Sequence, residues 1–168
     1  MDKTLVAYFS VSGSTEKLAN TLADVTGGTL YEIKPATPYT DADLNWNDNR
    51  SRSSVEMNDK AARPPILSPV ENMAQYDTIF VGFPIWWYEA PRIIQTFLES
   101  YDFTGKTVIP FATSGGSGMG KTVAILQKSC PKATVLPGKR MSASTSANEV
   151  SSWLKTLKLT AHEGVSDV

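Results

Sequence analysis

The sequence predicts an α/β protein with a parallel sheet that is covered by helices on both faces. Short apolar runs alternate along the chain with segments whose apolar residues recur at helical spacing. This alternation is typical of parallel sheets, because each crossover between parallel strands needs a long connection, usually a helix. With 168 residues, 41% of them hydrophobic, the chain can bury one core of ordinary size.

Charge and cysteine content exclude several classes of protein. Lys and Arg number 16 against 17 Asp and Glu, so the chain lacks the excess of positive charge typical of nucleic-acid-binding proteins. No stretch approaches the roughly 18 apolar residues of a membrane span. The single cysteine, Cys130, can form no intrachain disulfide, which is typical of a reducing compartment. We expect a cytoplasmic protein that binds neither nucleic acid nor membrane.

A βαβ unit is predicted at the start of the chain. Residues 5–9 are a short apolar run of the kind found in strands that are buried on both faces. A polar loop follows, and the apolar residues of 18–25 then lie at helical spacing. Gly27 and Gly28 should end this helix. Residues 29–33 are the predicted second strand.

The segment from residue 35 to residue 69 differs in composition and is called here the Pro-rich excursion. It contains five prolines and many Asn, Asp, Ser and Arg residues. We predict an irregular segment with room for one short helix. Irregular segments of this length are uncommon and are often functional.

Three further strands and three further helices are predicted after the Pro-rich excursion. Pro91 suits the first turn of one helix, and Ser146 with Glu149 forms a capping box for the last. We therefore expect a single domain over residues 1–159 and a frayed tail over residues 160–168. The three strands are predicted at residues 78–83, 107–112 and 133–136.

Ligands of parallel α/β sheets bind outside the carboxyl ends of the strands. Three loops with unusual composition follow such ends, and the first is rich in hydroxyl groups. It leads directly into a helix N-terminus, where free N–H groups and the helix dipole favour an anion. We interpret this first loop as a phosphate site rather than an ordinary polar turn. Its residues are Ser10, Val11, Ser12, Gly13, Ser14 and Thr15.

The second loop is aromatic and consists of Pro84, Ile85, Trp86, Trp87 and Tyr88. Its rings could simply cap the core, but beside a phosphate loop they favour a slot for a planar heterocycle. Trp86 and Trp87 are adjacent, so we expect one to cover the heterocycle and the other to anchor the loop or the Pro-rich excursion.

The third loop is rich in Gly and Ser, which leaves backbone N–H and C=O groups available to a polar ring edge. The alternative is a flexible loop without a binding role. The binding candidates in it are Thr113, Ser114, Gly115, Gly116, Ser117, Gly118 and Gly120.

Residues 115–122 also match the G-x-x-x-x-G-K-[ST] pattern of a P-loop. A P-loop hydrolase needs an Asp at the end of another strand to help hold Mg²⁺. The predicted strands that end at Phe83 and Leu136 are followed by no acidic residue. Nucleotide hydrolysis is therefore only a remote alternative.

Other catalytic templates find no support in the sequence. His162, the single histidine, lies in the predicted tail, and no His, Cys, Asp and Glu cluster has metal-ligand spacing. We expect Cys130 to be structural, and Glu89 to be solvated. No protein side chain is predicted to be catalytic.

Residues 5–15 resemble the FMN-phosphate signature of the flavodoxin family, a strand followed by [ST]-x-[ST]-G-x-[ST]. Short segments such as Pro38-Tyr39-Thr40 and Ala62-Arg63-Pro64 resemble a bacterial subgroup of flavodoxin-like proteins. The resemblance implies a five-stranded parallel sheet of order 2-1-3-4-5 in a three-layer α/β/α sandwich. It also implies FMN as the cofactor, with the first loop on its phosphate and the other two loops at the flavin ring.

The resemblance leaves two functions open that the sequence does not separate. One is a low-potential electron carrier whose partners are other redox proteins or small electron donors and acceptors. The other is an FMN-dependent NAD(P)H or quinone oxidoreductase, with the Pro-rich excursion shaping a substrate pocket. In both, the flavin carries the redox chemistry and the protein tunes it.

Overall fold

The computed structural model describes residues 3–86, 89–113 and 121–157. They form a three-layer α/β/α sandwich. Its strands are β1 (Thr4–Tyr8), β2 (Thr29–Glu32), β3 (Thr78–Pro84), β4 (Thr107–Thr113), β5 (Thr134–Val135) and β6 (Lys139–Met141). Its helices are α1 (Ser14–Thr26), α2 (Arg52–Asn58), α3 (Arg92–Glu99), α4 (Thr122–Ser129) and α5 (Ala147–Thr156), with a 3₁₀ turn at Met73–Gln75.

All strand pairs of the sheet are parallel, and the order β2-β1-β3-β4-β5 confirms the predicted topology. The prediction of five strands is incomplete, because β6 also pairs with β4. β5 pairs with the beginning of β4 and β6 with its end. Pro137 lies between β5 and β6 and has no N–H to donate, so the predicted strand over residues 133–136 is shorter than expected.

Two apolar layers lie on opposite faces of the sheet, because successive strand residues point to opposite sides. Val6, Phe80 and Ile109 pack with α1 and α5 on one face. Leu5, Ala7 and their neighbours pack with α3 and α4 on the other. In the centre, Gly82 lies directly beneath the Phe111 ring, and a Cβ atom there would be 2.2 Å from a ring carbon. This close approach requires glycine.

The end of α1 and the start of α5 follow the predicted signals, whereas Pro91, expected in the first turn of a helix, directly precedes α3. α1 stops at Gly27, which adopts a left-handed conformation with φ of 73°. α5 begins with the predicted capping box: the Glu149 N–H donates to Ser146 Oγ at 3.2 Å, and the Ser146 N–H donates to Glu149 Oε1 at 3.0 Å. The hydrogen bond from the Ser146 N–H holds the pKa of the Glu149 carboxyl below its usual range.

The Pro-rich excursion contains the predicted short helix, α2, and is closed at its base by backbone contacts. Pro35 and Ile66 form an antiparallel bridge. Beside it, the Ala36 N–H donates to the Pro65 carbonyl at 2.9 Å, and the Leu67 N–H donates to the Lys34 carbonyl at 2.8 Å. The two ends of this long segment are therefore paired with each other.

None of the helices in the described part of the chain is long and apolar enough to cross a membrane.

Candidate functional site

The carboxyl ends of β1, β3 and β4 meet at one edge of the sheet, and hydrogen bonds join the loops that follow them. The Phe9 N–H donates to the Gly82 carbonyl at 2.9 Å, which aligns the ends of β1 and β3. The Ile85 N–H donates to the Thr113 carbonyl at 3.2 Å. The hydroxyl oxygens of Thr15 and Thr113 lie 2.8 Å apart. The described parts of the three predicted loops thus meet at the edge where parallel sheets bind ligands.

The first loop presents an open helix N-terminus. Gly13 precedes α1 with φ of 93° and, as a glycine, has no side chain of its own that could cap this helix end. A Cβ atom added to Gly13 would meet nothing within 4 Å, so the space beside the loop is open. The Ser10 hydroxyl oxygen accepts the N–H groups of Gly13 at 3.1 Å and Glu16 at 3.3 Å. Converging N–H groups at a helix N-terminus suit an anion.

The hydroxyl groups of the first loop fall into two sets. Ser12 and Ser14 are accessible to solvent, with their oxygens 3.4 Å apart. Thr15 is only 2% exposed and pairs with Thr113, which is 7% exposed. One of the two hydroxyl groups donates its proton to the other in this hydrogen bond. The second hydroxyl therefore still has a proton that it can donate to a further acceptor.

The electrostatics of the first loop come from neutral donors and one nearby acid. No residue of the loop is basic. Glu16, in the first turn of α1, accepts a hydrogen bond from the Tyr8 hydroxyl at 3.3 Å. Burial, and secondly the nearby carboxylates, raises the pKa of Tyr8 to about 12. An anion here would be held by N–H and O–H groups rather than by a cationic side chain.

In the second loop, Trp86 is a packing anchor. Its ring packs edge-to-face against Phe9, at a centroid distance of 5.7 Å, and against Tyr39, at 5.6 Å. Its backbone pairs with Glu89, with N–H to carbonyl distances of 2.8 and 3.0 Å. These contacts join Trp86 to Phe9, which directly precedes the first loop, and to the Pro-rich excursion. Trp87 and Tyr88 lie outside the described residues.

In the third loop, only Thr113 lies in the described part of the chain. The predicted residues Ser114, Gly115, Gly116, Ser117, Gly118 and Gly120 lie outside it. Lys121, from the P-loop pattern, is exposed at the start of α4, and Thr122 is buried. The described ends of β1, β3 and β4 carry no acidic residue that could help to hold Mg²⁺.

Two residues near the loops make contacts that were not predicted from the sequence. Arg92 is only 3% exposed, and its guanidinium donates to Glu89 Oε1 at 2.8 Å. Glu89 is therefore only partly solvated, with 29% of its side chain exposed, rather than fully solvated as expected. Tyr39 of the Pro-rich excursion contacts both Phe9 and Trp86. The sequence does not indicate these contacts, because the rings that Tyr39 meets and the backbone carbonyls that Arg92 also meets lie 30 or more positions away.

Cys130 has the structural role that the sequence suggests. It is buried, and its Sγ donates to the Leu126 carbonyl at 3.3 Å. Burial raises the pKa of its thiol to about 11, so little thiolate forms at neutral pH.

Within the described ranges, no group of three or more His, Cys, Asp and Glu side chains could hold a metal ion.

Comparisons with known proteins agree with this arrangement. A family profile described as Flavodoxin matches residues 3–157. The chain belongs to the flavodoxin family. Two provisionally named flavoproteins are similar to this flavodoxin over their whole length. The structure from Bacteroides eggerthii DSM 20697 is 49% identical, with a TM-score of 0.90, and the match covers 95% of this chain and 100% of that one.

The second of these structures, from Bacteroides uniformis ATCC 8492, is 51% identical, with a TM-score of 0.87; the match covers 92% of this flavodoxin and 98% of that chain. A flavoprotein from Lactobacillus acidophilus NCFM, solved in complex with FMN, is 24% identical with a TM-score of 0.69, over 91% of this chain and 99% of that one. At that identity the likeness shows the fold alone. None of the curated proteins compared with this flavodoxin matches it.

Proposed function

We propose that this flavodoxin binds one FMN non-covalently across the carboxyl ends of β1, β3 and β4 and transfers electrons through it. The observation that carries the proposal is the open, glycine-led N-terminus of α1 beside the buried Thr15–Thr113 pair. The FMN complex of the Lactobacillus acidophilus flavoprotein, which has the same fold, supports the choice of cofactor.

The phosphate of FMN fits the first loop. The N–H groups at the start of α1, the accessible hydroxyls of Ser12 and Ser14, and the spare proton of the Thr15–Thr113 pair supply donors of the kind that a phosphate accepts. Val11 and Gly13 contribute backbone to the same loop. No basic side chain is needed, because several neutral donors and the helix dipole act together.

The flavin ring is assigned to the second and third loops. Trp86 is held by Phe9 and Tyr39, so Trp87 is the tryptophan that we propose for stacking on the ring, with Pro84, Ile85 and Tyr88 around it. Thr113 and the glycine-rich residues after it are proposed for the polar edge of the ring. When bound, the isoalloxazine accepts and donates electrons, and the chain holds, orients and shields it.

The charges of the first loop favour a low reduction potential. A bound phosphate carries a charge of roughly −2, and no basic residue in the loop offsets it. Negative charge near the ring disfavours further negative charge on it. Trp87 would add an apolar, electron-rich wall with the same effect. These features support the role of a low-potential carrier, with redox proteins or small electron donors and acceptors as partners in the cytoplasm.

Replacing Ser14 by Asp tests the phosphate site. A carboxylate beside the phosphate should weaken FMN binding by about 3 kcal/mol or more, because two like charges would lie a few ångströms apart. The measurement is titration of the apoprotein with FMN. Riboflavin, which lacks the phosphate, should bind the variant and the wild type equally well.

The matched control is Asn20→Asp, which adds the same charge to an exposed position farther along α1. This control should bind FMN nearly as well as the wild type. An unchanged FMN affinity in Ser14→Asp would show that the phosphate lies elsewhere and would contradict the proposed site.

A reductase is the second candidate function, and one observation favours it. The Pro-rich excursion reaches the second loop through Tyr39, so it borders the proposed ring site and could form part of a substrate pocket. Anaerobic mixing of the FMN-loaded protein with NADH, NADPH and a quinone separates the two functions. Rapid bleaching of the flavin by a nicotinamide, followed by reoxidation by the quinone, would indicate an enzyme.

A further inference from the structure

The Pro-rich excursion is joined to the first and second loops by a cluster of three aromatic rings. The Tyr39 ring packs edge-to-face against Phe9 and against Trp86, with both centroid distances 5.6 Å. Phe9 and Trp86 also contact each other. Phe9 directly precedes the first loop and Trp86 lies in the second. Tyr39 therefore lies where the two loops meet.

Side chains of α2 hold the Tyr39 ring. The Tyr39 hydroxyl donates a hydrogen bond to Glu56 Oε1, and the guanidinium carbon of Arg52 lies 3.8 Å from the centre of the ring. Arg52 and Glu56 are one helical turn apart and pair with each other at 3.0 Å. Burial, and secondly the hydrogen bond to Glu56, keeps the pKa of Tyr39 above its usual range, so the hydroxyl remains protonated.

A buried arginine attaches the other end of α2 to the second loop. The Arg92 guanidinium donates to the Met57 carbonyl at 2.8 Å and to the carbonyls of Glu56 and Asp59 at 3.3 Å. A cation at the C-terminus of a helix is favourable. Arg92 also pairs with Glu89, whose backbone is bonded to Trp86. Trp86 is thus connected to α2 through Tyr39, and Glu89, which directly follows the second loop, is connected to α2 through Arg92.

We propose that the Pro-rich excursion is a positioning element for the second loop and that Tyr39 is its central positioning residue. By holding Trp86 against Phe9, the Tyr39 ring orders the loop before any cofactor arrives. Ordering a binding loop in advance reduces the entropy lost on binding. The effect on the flavin rests on the proposed function, whereas the effect on the loop does not.

Amide hydrogen exchange of the apoprotein, measured by NMR, tests the positioning role without any flavin. Tyr39→Leu removes the ring but keeps an apolar side chain. We expect the amide protons of Trp86 and Glu89, which are bonded to each other's carbonyls, to exchange about tenfold faster than in the wild type. Slow exchange at Val81 and Ile109 in the sheet would show that the fold is intact; should the leucine variant unfold, Tyr39→Met repeats the test.

Tyr101→Leu is the matched control. Tyr101 likewise makes two edge-to-face ring contacts, with Phe97 and Phe103, and its hydroxyl accepts a hydrogen bond from the Val70 N–H. It lies in the connection between α3 and β4, near the amino ends of the strands, whereas the candidate site lies at their carboxyl ends. This variant should leave the exchange of Trp86 and Glu89 unchanged. Equal acceleration in both variants would indicate general destabilisation and would overturn the proposal.

Tyr39→Phe separates the ring from its hydroxyl group. It keeps both ring contacts and loses only the hydrogen bond to Glu56, so the protection of Trp86 and Glu89 should stay close to that of the wild type. If Tyr39→Phe loosens the loop as much as Tyr39→Leu does, the ring is not the positioning group. Unchanged protection in Tyr39→Leu would overturn the proposal outright.

Titration with FMN tests the link from the loop to the cofactor. Tyr39→Leu should bind FMN about tenfold more weakly, with brighter flavin fluorescence, because a loosened loop stacks less closely on the ring. A loosened loop with unchanged FMN affinity and fluorescence would overturn the effect on the flavin. If the wild type binds no FMN, the proposed function fails, and the exchange data still decide the role of Tyr39.

Discussion

Thr113 joins the first and second loops to the start of the third. Its hydroxyl pairs with Thr15 of the first loop, and its carbonyl accepts the N–H of Ile85 in the second. The third loop begins at Thr113 itself. The Thr15–Thr113 pair is buried, so each hydroxyl depends on the other to satisfy its hydrogen-bonding capacity.

Replacing Thr113 by Val should therefore lower both the stability of the protein and its affinity for FMN. The variant leaves the buried Thr15 hydroxyl without this partner, which should lower the free energy of unfolding by about 1–3 kcal/mol. It should also weaken the binding of FMN but not of riboflavin, because the proton that the pair offers to the phosphate is lost. Urea unfolding and titration of the apoprotein with both flavins measure the two effects.

Thr107→Val provides the control for Thr113→Val. Thr107 is the first residue of β4, so it lies at the amino end of the same strand, away from the proposed phosphate site. The control variant should keep the affinity for both flavins. A Thr113→Val protein with wild-type FMN affinity would show that the buried pair does not contribute to phosphate binding.

At the scale of elements, α2 illustrates a helix that depends on tertiary contacts. It has seven residues, which is too short for a stable helix in isolation. Ser51 caps its N-terminus through a hydrogen bond from the Ser54 N–H, and Arg92 satisfies the carbonyls at its end. Arg63 also ties the Pro-rich excursion to α3 through two hydrogen bonds to Glu99, at 2.8 and 3.1 Å.

Replacing Arg92 by Met should release the Pro-rich excursion while the sheet remains folded. The change leaves the carbonyls of α2 and the Glu89 carboxylate without the guanidinium, at a cost of about 3 kcal/mol borne mainly by this segment. Limited trypsin digestion should then cut after Arg50, Arg52 or Lys60, which the wild type should resist. Mass spectrometry of the fragments locates the cuts.

Lys106→Met is the matched control for Arg92→Met. Lys106 is also a buried cation, and its Nζ donates to the Tyr76 carbonyl at 2.5 Å, away from the Pro-rich excursion. This variant should show no preferred cleavage within residues 35–69. Resistance of Arg92→Met to trypsin would show that the other contacts suffice to hold α2.

The sequence predicts the elements of this fold better than the contacts between them. Apolar runs and helical spacing locate the four longer strands and the four helices outside the Pro-rich excursion, because those signals lie within a few neighbouring residues. The Thr15–Thr113 pair joins residues 98 positions apart, and Arg92 meets its α2 carbonyls across more than 30 positions. No local pattern marks such contacts. Pro137 separates β5 from β6, and the apolar pattern of residues 133–136 alone predicts one strand rather than these two.

At the scale of the whole molecule, the sheet brings the described parts of three distant loops to one edge. The order β2-β1-β3-β4-β5 places β1, β3 and β4 side by side, so residues 10–15, 84–86 and 113 become neighbours. The candidate site could therefore be predicted from the sequence once the topology was known. What could not be predicted is the role of the Pro-rich excursion, because it depends on where the rings of Tyr39 and Trp86 meet.

The identity of the pigment released from the purified protein tests the central claim most directly. The protein should be yellow, or should become yellow when the apoprotein is reconstituted with FMN, and denaturation should release one FMN per chain. The single nucleotide phosphate of FMN matches the one hydroxyl-rich loop at the N-terminus of α1. Chromatography of the released pigment against FMN and FAD standards gives the answer. Release of FAD, or failure to retain FMN after reconstitution, would contradict the account.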